Sequence, residues 1–175
     1  MRTKRICIDA MGIALFVVLT LCLQVPVFEN YYLCLGYIAM AVYCYYFGTV
    51  SGTLVGTIGV ILYCIIISGL RGMPGWVLGN IIIGIMCGLA SKIARKQSSM
   101  SLKYFIMLLA IITSVTIGIL GVKSITEVIL YAQPFAVRTA NNIYAFIADI
   151  VVLIAGFWIC ITYEKIFKRI LVKEK

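Results

Sequence analysis

The sequence has no histidine and little charge: 15 basic and six acidic side chains in 175 residues, 12% charged in all. Without histidine there is no His-based zinc site, no Ser-His-Asp triad and no histidine ligation of haem. No CxxC pair occurs among the seven cysteines, Cys7, Cys22, Cys34, Cys44, Cys64, Cys87 and Cys160. Most lie inside apolar runs and read as small buried hydrophobes, and an odd count argues against a disulfide framework. Paired-carboxylate motifs, DxD-type metal clusters and a Gly-rich phosphate loop ending in Lys-Ser/Thr are absent too. Hydrolysis, phosphotransfer and ATP binding therefore have no basis in the sequence, and no cofactor or metal is expected.

What is there is apolar. Hydrophobic residues make up 63% and the mean hydropathy is +1.11, where a soluble chain is roughly 45–50% apolar. One core of this size cannot hide that much apolar surface, so lipid is the solvent for most of the chain. Secreted domains, cytosolic enzymes and soluble nucleic-acid readers are thereby excluded. The length fits one domain, 1–175. Six apolar stretches, roughly 10–27, 32–47, 50–70, 75–94, 102–122 and 143–165, predict an all-α integral membrane protein with six spanning helices. About 20 residues cross a hydrocarbon layer of about 30 Å, and lipid demands that backbone groups pair within the segment. The second stretch is the shortest. The first follows Arg2, Lys4 and Arg5 as a signal peptide would, but no small-residue cleavage site follows it. It is therefore read as a retained helix.

Twelve of the 15 basic residues fall on one side of this topology. They lie before the first stretch (Arg2, Lys4, Arg5), after the fourth (Lys92, Arg95, Lys96, Lys103) and in the tail (Lys165, Lys168, Arg169, Lys173, Lys175). The positive-inside rule then puts both termini in the cytoplasm. The net charge of +9 reflects topology and contact with anionic lipid, and no nucleic-acid partner is needed to explain it.

Glycines recur at four-residue spacing: Gly48, Gly52 and Gly56, then Gly75 and Gly79, then Gly84 and Gly88. Such ridges let helix backbones approach closely in lipid, within the chain or against a sliding partner. Ala10 and Ala14 make an AxxxA beside Gly12.

Polar residues gather at the outer ends of the stretches. They are Glu29, Asn30 and Tyr31 in the first outer connection, and Arg71 and Trp76 around the second. The third connection, Lys123 to about Asn142, holds Glu127, Gln133, Arg138, Asn141 and Asn142. Asn80 lies one turn below Trp76 on the same helical face, and Asp149 lies about two turns below Asn142. A carboxylate at that depth is costly unless it faces a cavity or a partner. Each has a plainer reading too: interfacial belt for Trp76, Tyr31 and Tyr32, solvated turn for Arg71, helix cap for Asn141 and Asn142. Their convergence, with aromatic planes, amides and a few charges of both signs, is the make-up of a small-molecule pocket. No energy source accompanies it, and no repeat relates the two halves. A binding subunit driven by another polypeptide fits better than a self-sufficient carrier. A structural or assembly membrane protein without a ligand is the rival from another class.

Three runs carry a family resemblance. Gly48-Thr-Val-Ser-Gly-Thr-Leu-Val-Gly-Thr-Ile-Gly59 is similar to a family entry to the third helix, with Thr49 where Pro is usual. Gly72-Met-Pro-Gly-Trp-Val-Leu-Gly-Asn-Ile-Ile-Ile-Gly-Ile-Met-Cys-Gly88 is similar to the loop into helix four, and Ala10-Met-Gly-Ile-Ala14 to an AxxxA on helix one. Over nearly its whole length the chain resembles the substrate-binding S component of an energy-coupling factor (ECF) vitamin transporter. The acidic residue often seen late in helix three is missing here. The resemblance implies a multi-pass protein of the bacterial plasma membrane, a vitamin ligand, a transmembrane T subunit docked on Ala10 and Ala14, and two cytosolic ATPases. The ligand region it implies holds Glu29, Asn30, Tyr31, Arg71, Trp76, Asn80, Arg138, Asn141, Asn142 and Asp149. Arg71 and Arg138 suit an anionic group and the aromatic faces a flat heterocycle, so a neutral or weakly anionic vitamin such as pantothenate is favoured over cationic thiamine.

Overall fold

In a computed structural model the described residues are 2–22, 25–28, 31–68, 73–132, 134–164 and 166. Helix α1 (Arg2–Cys22) leads to a short antiparallel hairpin of β1 (Val25–Phe28) and β2 (Tyr31–Leu33). Helix α2 (Gly36–Val42) runs on through a wide π turn, Tyr43–Phe47. Helix α3 (Thr49–Tyr63) likewise continues through Cys64–Ser68. Next come α4 (Met73–Ala94) and α5 (Met100–Val115). A wide turn over Thr116–Lys123 joins α5 without a break to α6 (Ser124–Tyr131). The last helix is α7 (Phe135–Thr162).

Five segments are long and apolar enough to cross a membrane: Thr3–Cys22, Thr49–Ile67, Pro74–Ala94, Met100–Tyr131 and Phe135–Thr162. They match five of the six expected stretches. The stretch expected over 32–47 differs. Its first residues belong to β2, and the helical part, 36–47, is about 18 Å long at 1.5 Å per residue. That is short of a hydrocarbon crossing by itself. For the connection from Lys123 to Asn142 the sequence leaves open whether 124–134 extends the fifth helix or forms a lid; in the structure 124–131 extends it. The path reverses around Ala132, which adopts the left-handed conformation (φ 52°), and Pro134 opens α7. Asn141 and Asn142 therefore lie in the second turn of α7 and do not cap it.

The glycine ridges are spent inside the chain. A Cβ on Gly52 or Gly56 would run into Cys44 or Met40 of the α2 segment. On α4, a Cβ at Gly84 would lie 2.7 Å from the Thr53 Cα, and one at Gly88 2.6 Å from the Thr49 Cα. A Cβ at Gly79 would lie 2.8 Å from the Gly118 carbonyl, where α4 packs on the wide turn after α5. Bare glycine lets these backbones touch where lipid supplies no hydrophobic drive for helix association. Gly48 is different: it is the N-cap of α3 at φ 100°, a conformation glycine adopts at no steric cost. Around these seams the core holds Phe16, Tyr37, Met40, Tyr45, Ile83, Met107, Ile111, Leu153 and Phe157. The outer faces keep Leu, Ile, Phe and Trp bare, as lipid-facing helices do. All seven cysteines are free thiols, five of them buried.

The α3–α4 seam yields a prediction. Gly88→Leu drives a side chain into the Thr49 backbone and lowers stability in detergent by about 1–3 kcal/mol or more. Leu89→Ala, on the exposed neighbouring face, changes it by about 0.5 kcal/mol at most. Thermal unfolding of the two purified variants measures the contrast.

Candidate functional site

Two polar clusters mark the two ends of the bundle. The first joins the end of the α2 segment to the end of α7. There the Lys103 ammonium pairs with the Glu164 carboxylate, and the Tyr45 hydroxyl donates to the same oxygen at 3.2 Å. The Tyr46 hydroxyl donates to the Cys160 carbonyl at 2.7 Å, and the Arg95 guanidinium lies 5.9 Å from the Tyr45 ring centre. The basic ends of α4 and α5 thus meet the end of α7 in one place. Most of the cluster's polar groups are neutralised internally.

The second cluster lies at the opposite end, where α2 begins and α4 enters. Trp76 sits in the first turn of α4, and its indole N–H donates to the Tyr37 hydroxyl at 3.0 Å. Its ring meets Tyr63 of α3 edge-on, with centres 5.7 Å apart and planes at 84°. Tyr37, buried at the start of α2, is hydrogen-bonded in turn to the Asp149 carboxylate of α7. Asp149 is 4% exposed. Its charge faces that of Lys123, at the end of the wide turn after α5. Lys123 Nζ lies 4.0 Å from Glu127 Oε1, one helical turn on. The amide of Asn142 donates to Ser124 Oγ at 3.0 Å and to Glu127 Oε2 at 3.1 Å. One connected set of groups on α2, α4, α6 and α7 is therefore held within the apolar bundle, as an intramembrane carboxylate requires.

Some polar atoms in this region are left over. Asn80 is fully buried, and among the described residues neither its amide oxygen nor its nitrogen has a hydrogen-bond partner. Arg138 Nε and Thr139 Oγ1 are likewise buried without partners among the described residues, while the Arg138 guanidinium lies over Tyr131 at 5.0 Å. A buried amide left unpaired costs on the order of 1–3 kcal/mol per group, so such atoms point to a ligand that completes them.

The structure brings together Trp76, Asn142 and Asp149, with Asn80 one turn below Trp76. Arg138 lies on α7 one turn before Asn142. Asn141 is exposed and does not join the cluster. Glu29, Asn30 and Arg71 lie outside the described residues, and Tyr31 is placed only by its backbone, in β2. Sequence reasoning did not select Tyr37, Tyr63, Lys123 or Ser124 as site residues. Tyr37 sits in a run that reads as uniformly apolar, with no spacing to single it out. Ala10 and Ala14 are both exposed on α1, whose most apolar window is 22% buried against 50% for that of Pro74–Ala94. Gly12, between them, is instead pressed onto the Tyr43 ring. Among the described residues no group of three or more Cys, Asp or Glu side chains could hold a metal ion.

A multi-pass membrane bundle with a knot of aromatic, amide and charged side chains at one end, and a bare small-residue face on its first helix, is the form of a membrane-embedded binding subunit. The family described as "ECF-type riboflavin transporter, S component" matches residues 1–165, and the chain belongs to it. It is thus a substrate-binding subunit of an ECF transporter, a multi-pass protein of the bacterial plasma membrane. Among relatives, a UPF0397 protein of Vibrio atlanticus (strain LGP32) is 30% identical over 161 residues, 89% of this chain and 88% of its own length. A UPF0397 protein of Streptococcus thermophilus (strain CNRZ 1066) is 29% identical over 149 residues, 83% of this chain and 81% of its own.

The site's internal bonding is testable. Asn142→Leu removes two hydrogen bonds and strips Glu127 of its amide donor, lowering stability by about 1–3 kcal/mol. Asn141→Leu, one residue away but exposed, changes it by about 0.5 kcal/mol at most. Thermal denaturation of the two variants in the same detergent separates them.

Proposed function

We propose that this chain captures a flat, neutral vitamin of the riboflavin class at the extracytoplasmic end of the bundle. It then hands the ligand to the cytoplasm through a T subunit energised by two cytosolic ATPases. The observation that carries the reading is Asn80, a wholly buried amide with a free donor and a free acceptor, one turn below Trp76. An Asn amide is the complement of a heterocyclic edge that places an N–H beside a carbonyl, as the pyrimidinedione edge of a flavin does. The indole and phenol rings of Trp76, Tyr63 and Tyr37 supply planes for the rest of the ring system. The family's description names the same vitamin. Pantothenate, favoured from charge alone, shares riboflavin's lack of positive charge but offers no ring to those planes.

The topology of this reading is six crossings with both termini inside. It is supported by the clustering of Lys92, Arg95, Lys96 and Lys103 with the end of α7, where the positive-inside rule places the cytoplasm. The T subunit docks on the exposed small face of α1 around Ala10 and Ala14, where two helices can approach closely.

Two experiments test this. Equilibrium binding of riboflavin, pantothenate and thiamine to the purified subunit should show tight riboflavin binding, weakened at least about tenfold by Asn80→Leu. Tight binding of thiamine alone, or of pantothenate alone, overturns the assignment. Separately, Ala10→Trp or Ala14→Trp abolishes vitamin uptake by cells while the isolated subunit still binds its ligand. Normal uptake by either variant contradicts the docking face.

A further inference from the structure

A second polar feature lies at the other end of α1, away from the vitamin site. A cavity of about 390 Å³ opens there, lined by Lys4, Arg5 and Asp9 of α1, by Tyr46 and Phe47 of the wide turn after α2, and by Ser51 of α3. Two contacts lie beside it. The Tyr43 hydroxyl donates to the Ile8 carbonyl at 2.7 Å, and the Tyr43 and Phe47 rings stack at 4.8 Å. Asp9 is only 9% exposed, and its Oδ1 is buried with no hydrogen-bond partner among the described residues. Lys4 and Arg5 are exposed. Among the described residues, neither forms an ion pair with Asp9. Ser51 lies in the first turn of α3, whose N-cap, Gly48, provides no side-chain acceptor. The opening N–H groups of that helix therefore add positive potential beside the two bases.

The cavity thus asks for two things at once. Its buried carboxylate oxygen wants a hydrogen-bond donor, and its basic rim wants an anion. A purely anionic group leaves Asp9 unpaired and repelled. A lone cation meets Lys4 and Arg5. We propose that this cavity binds the headgroup of a phospholipid that carries a primary ammonium next to its phosphate. The ammonium donates to Asp9, and the phosphate accepts from Lys4, Arg5 and the first turn of α3. The basic residues nearby place this end at the level of lipid headgroups. The site is independent of which vitamin the chain binds, and it lies beside the Ala10 and Ala14 face.

Native mass spectrometry of the delipidated, full-length protein tests it, titrated with phosphatidylethanolamine, its mono-, di- and trimethylated forms, and phosphatidylglycerol of matched acyl chains. Affinity should fall as N–H donors are lost, with at least tenfold weaker binding of the trimethylated lipid. In Asp9→Asn this preference should shrink to under threefold. Arg5→Gln should weaken all of these lipids alike. The methylation series needs only the unaltered protein, so a poorly folding variant does not blunt the test. Vitamin binding in the same preparation reports separately on the other site. Equal binding across the methylation series, or a preference for phosphatidylglycerol, overturns the proposal. So does an Asp9→Asn variant that keeps its lipid preference and loses only assembly with the T subunit, which points instead to a partner side chain in the cavity.

Discussion

Lipid offers no hydrogen bonds, and this one constraint organises the molecule. Every polar side chain placed at depth must find its partner within the bundle or wait for one from outside. Asp149 meets the requirement through Tyr37, which itself accepts from Trp76. Glu127 meets it through Asn142 and Lys123. These links run between α2, α4, α6 and α7, so the same bonds that make the carboxylates tolerable also fix where four helices meet. Packing alone would leave that end free to shear, because the hydrophobic effect does not drive helix association in lipid. The glycine seams supply the complementary restraint. Gly84 and Gly88 set the depth at which α4 seats on α3, and Trp76, at the head of the same helix, inherits its position from that seat.

How much of this could be read beforehand follows from which signals lipid amplifies. Long apolar runs are unmistakable, and five spans lie where hydropathy puts them. The shorter features were hidden by that same composition. Residues 25–28 and 31–33 pair as a hairpin, yet Val, Phe, Tyr and Leu look alike as strand or as membrane helix once alternation is lost. Residues 124–131 are ambiguous in sequence, helix extension or lid, because Ser124, Thr126 and Glu127 interrupt the apolar run. In the fold Ser124 and Glu127 lie three apart on one helical face and are both buried, which is a helix pattern and not a loop pattern. Trp76, Asn80, Asn142 and Asp149 stood out because each is a costly residue in an apolar setting. Tyr37 did not, since a tyrosine in a run of Tyr, Ile, Ala and Met is indistinguishable from a belt or core residue until its hydroxyl is seen between an indole and a carboxylate.

The buried polar groups of the bundle are resolved in two ways. At the end holding Lys103 and Glu164, charges meet their opposites and tyrosine hydroxyls find acceptors, so α2, α4, α5 and α7 are tied together there. Elsewhere, atoms are left without partners among the described residues: both polar atoms of Asn80, the Nε of Arg138 and the hydroxyl of Thr139 at the other end, and the Oδ1 of Asp9 near the start of α1. A fold that needed only stability would place apolar side chains of similar size at those positions, since a half-satisfied polar group is worse than none. Retaining them costs several kcal/mol unless something supplies the missing partners. That cost returns as affinity when a ligand supplies the missing partners, and it returns only for a ligand whose donors and acceptors fall in the right places. In the function proposed above, the unpaired atoms near Trp76 are where a ligand is selected, and the exposed Ala10 and Ala14 face is where a T subunit docks.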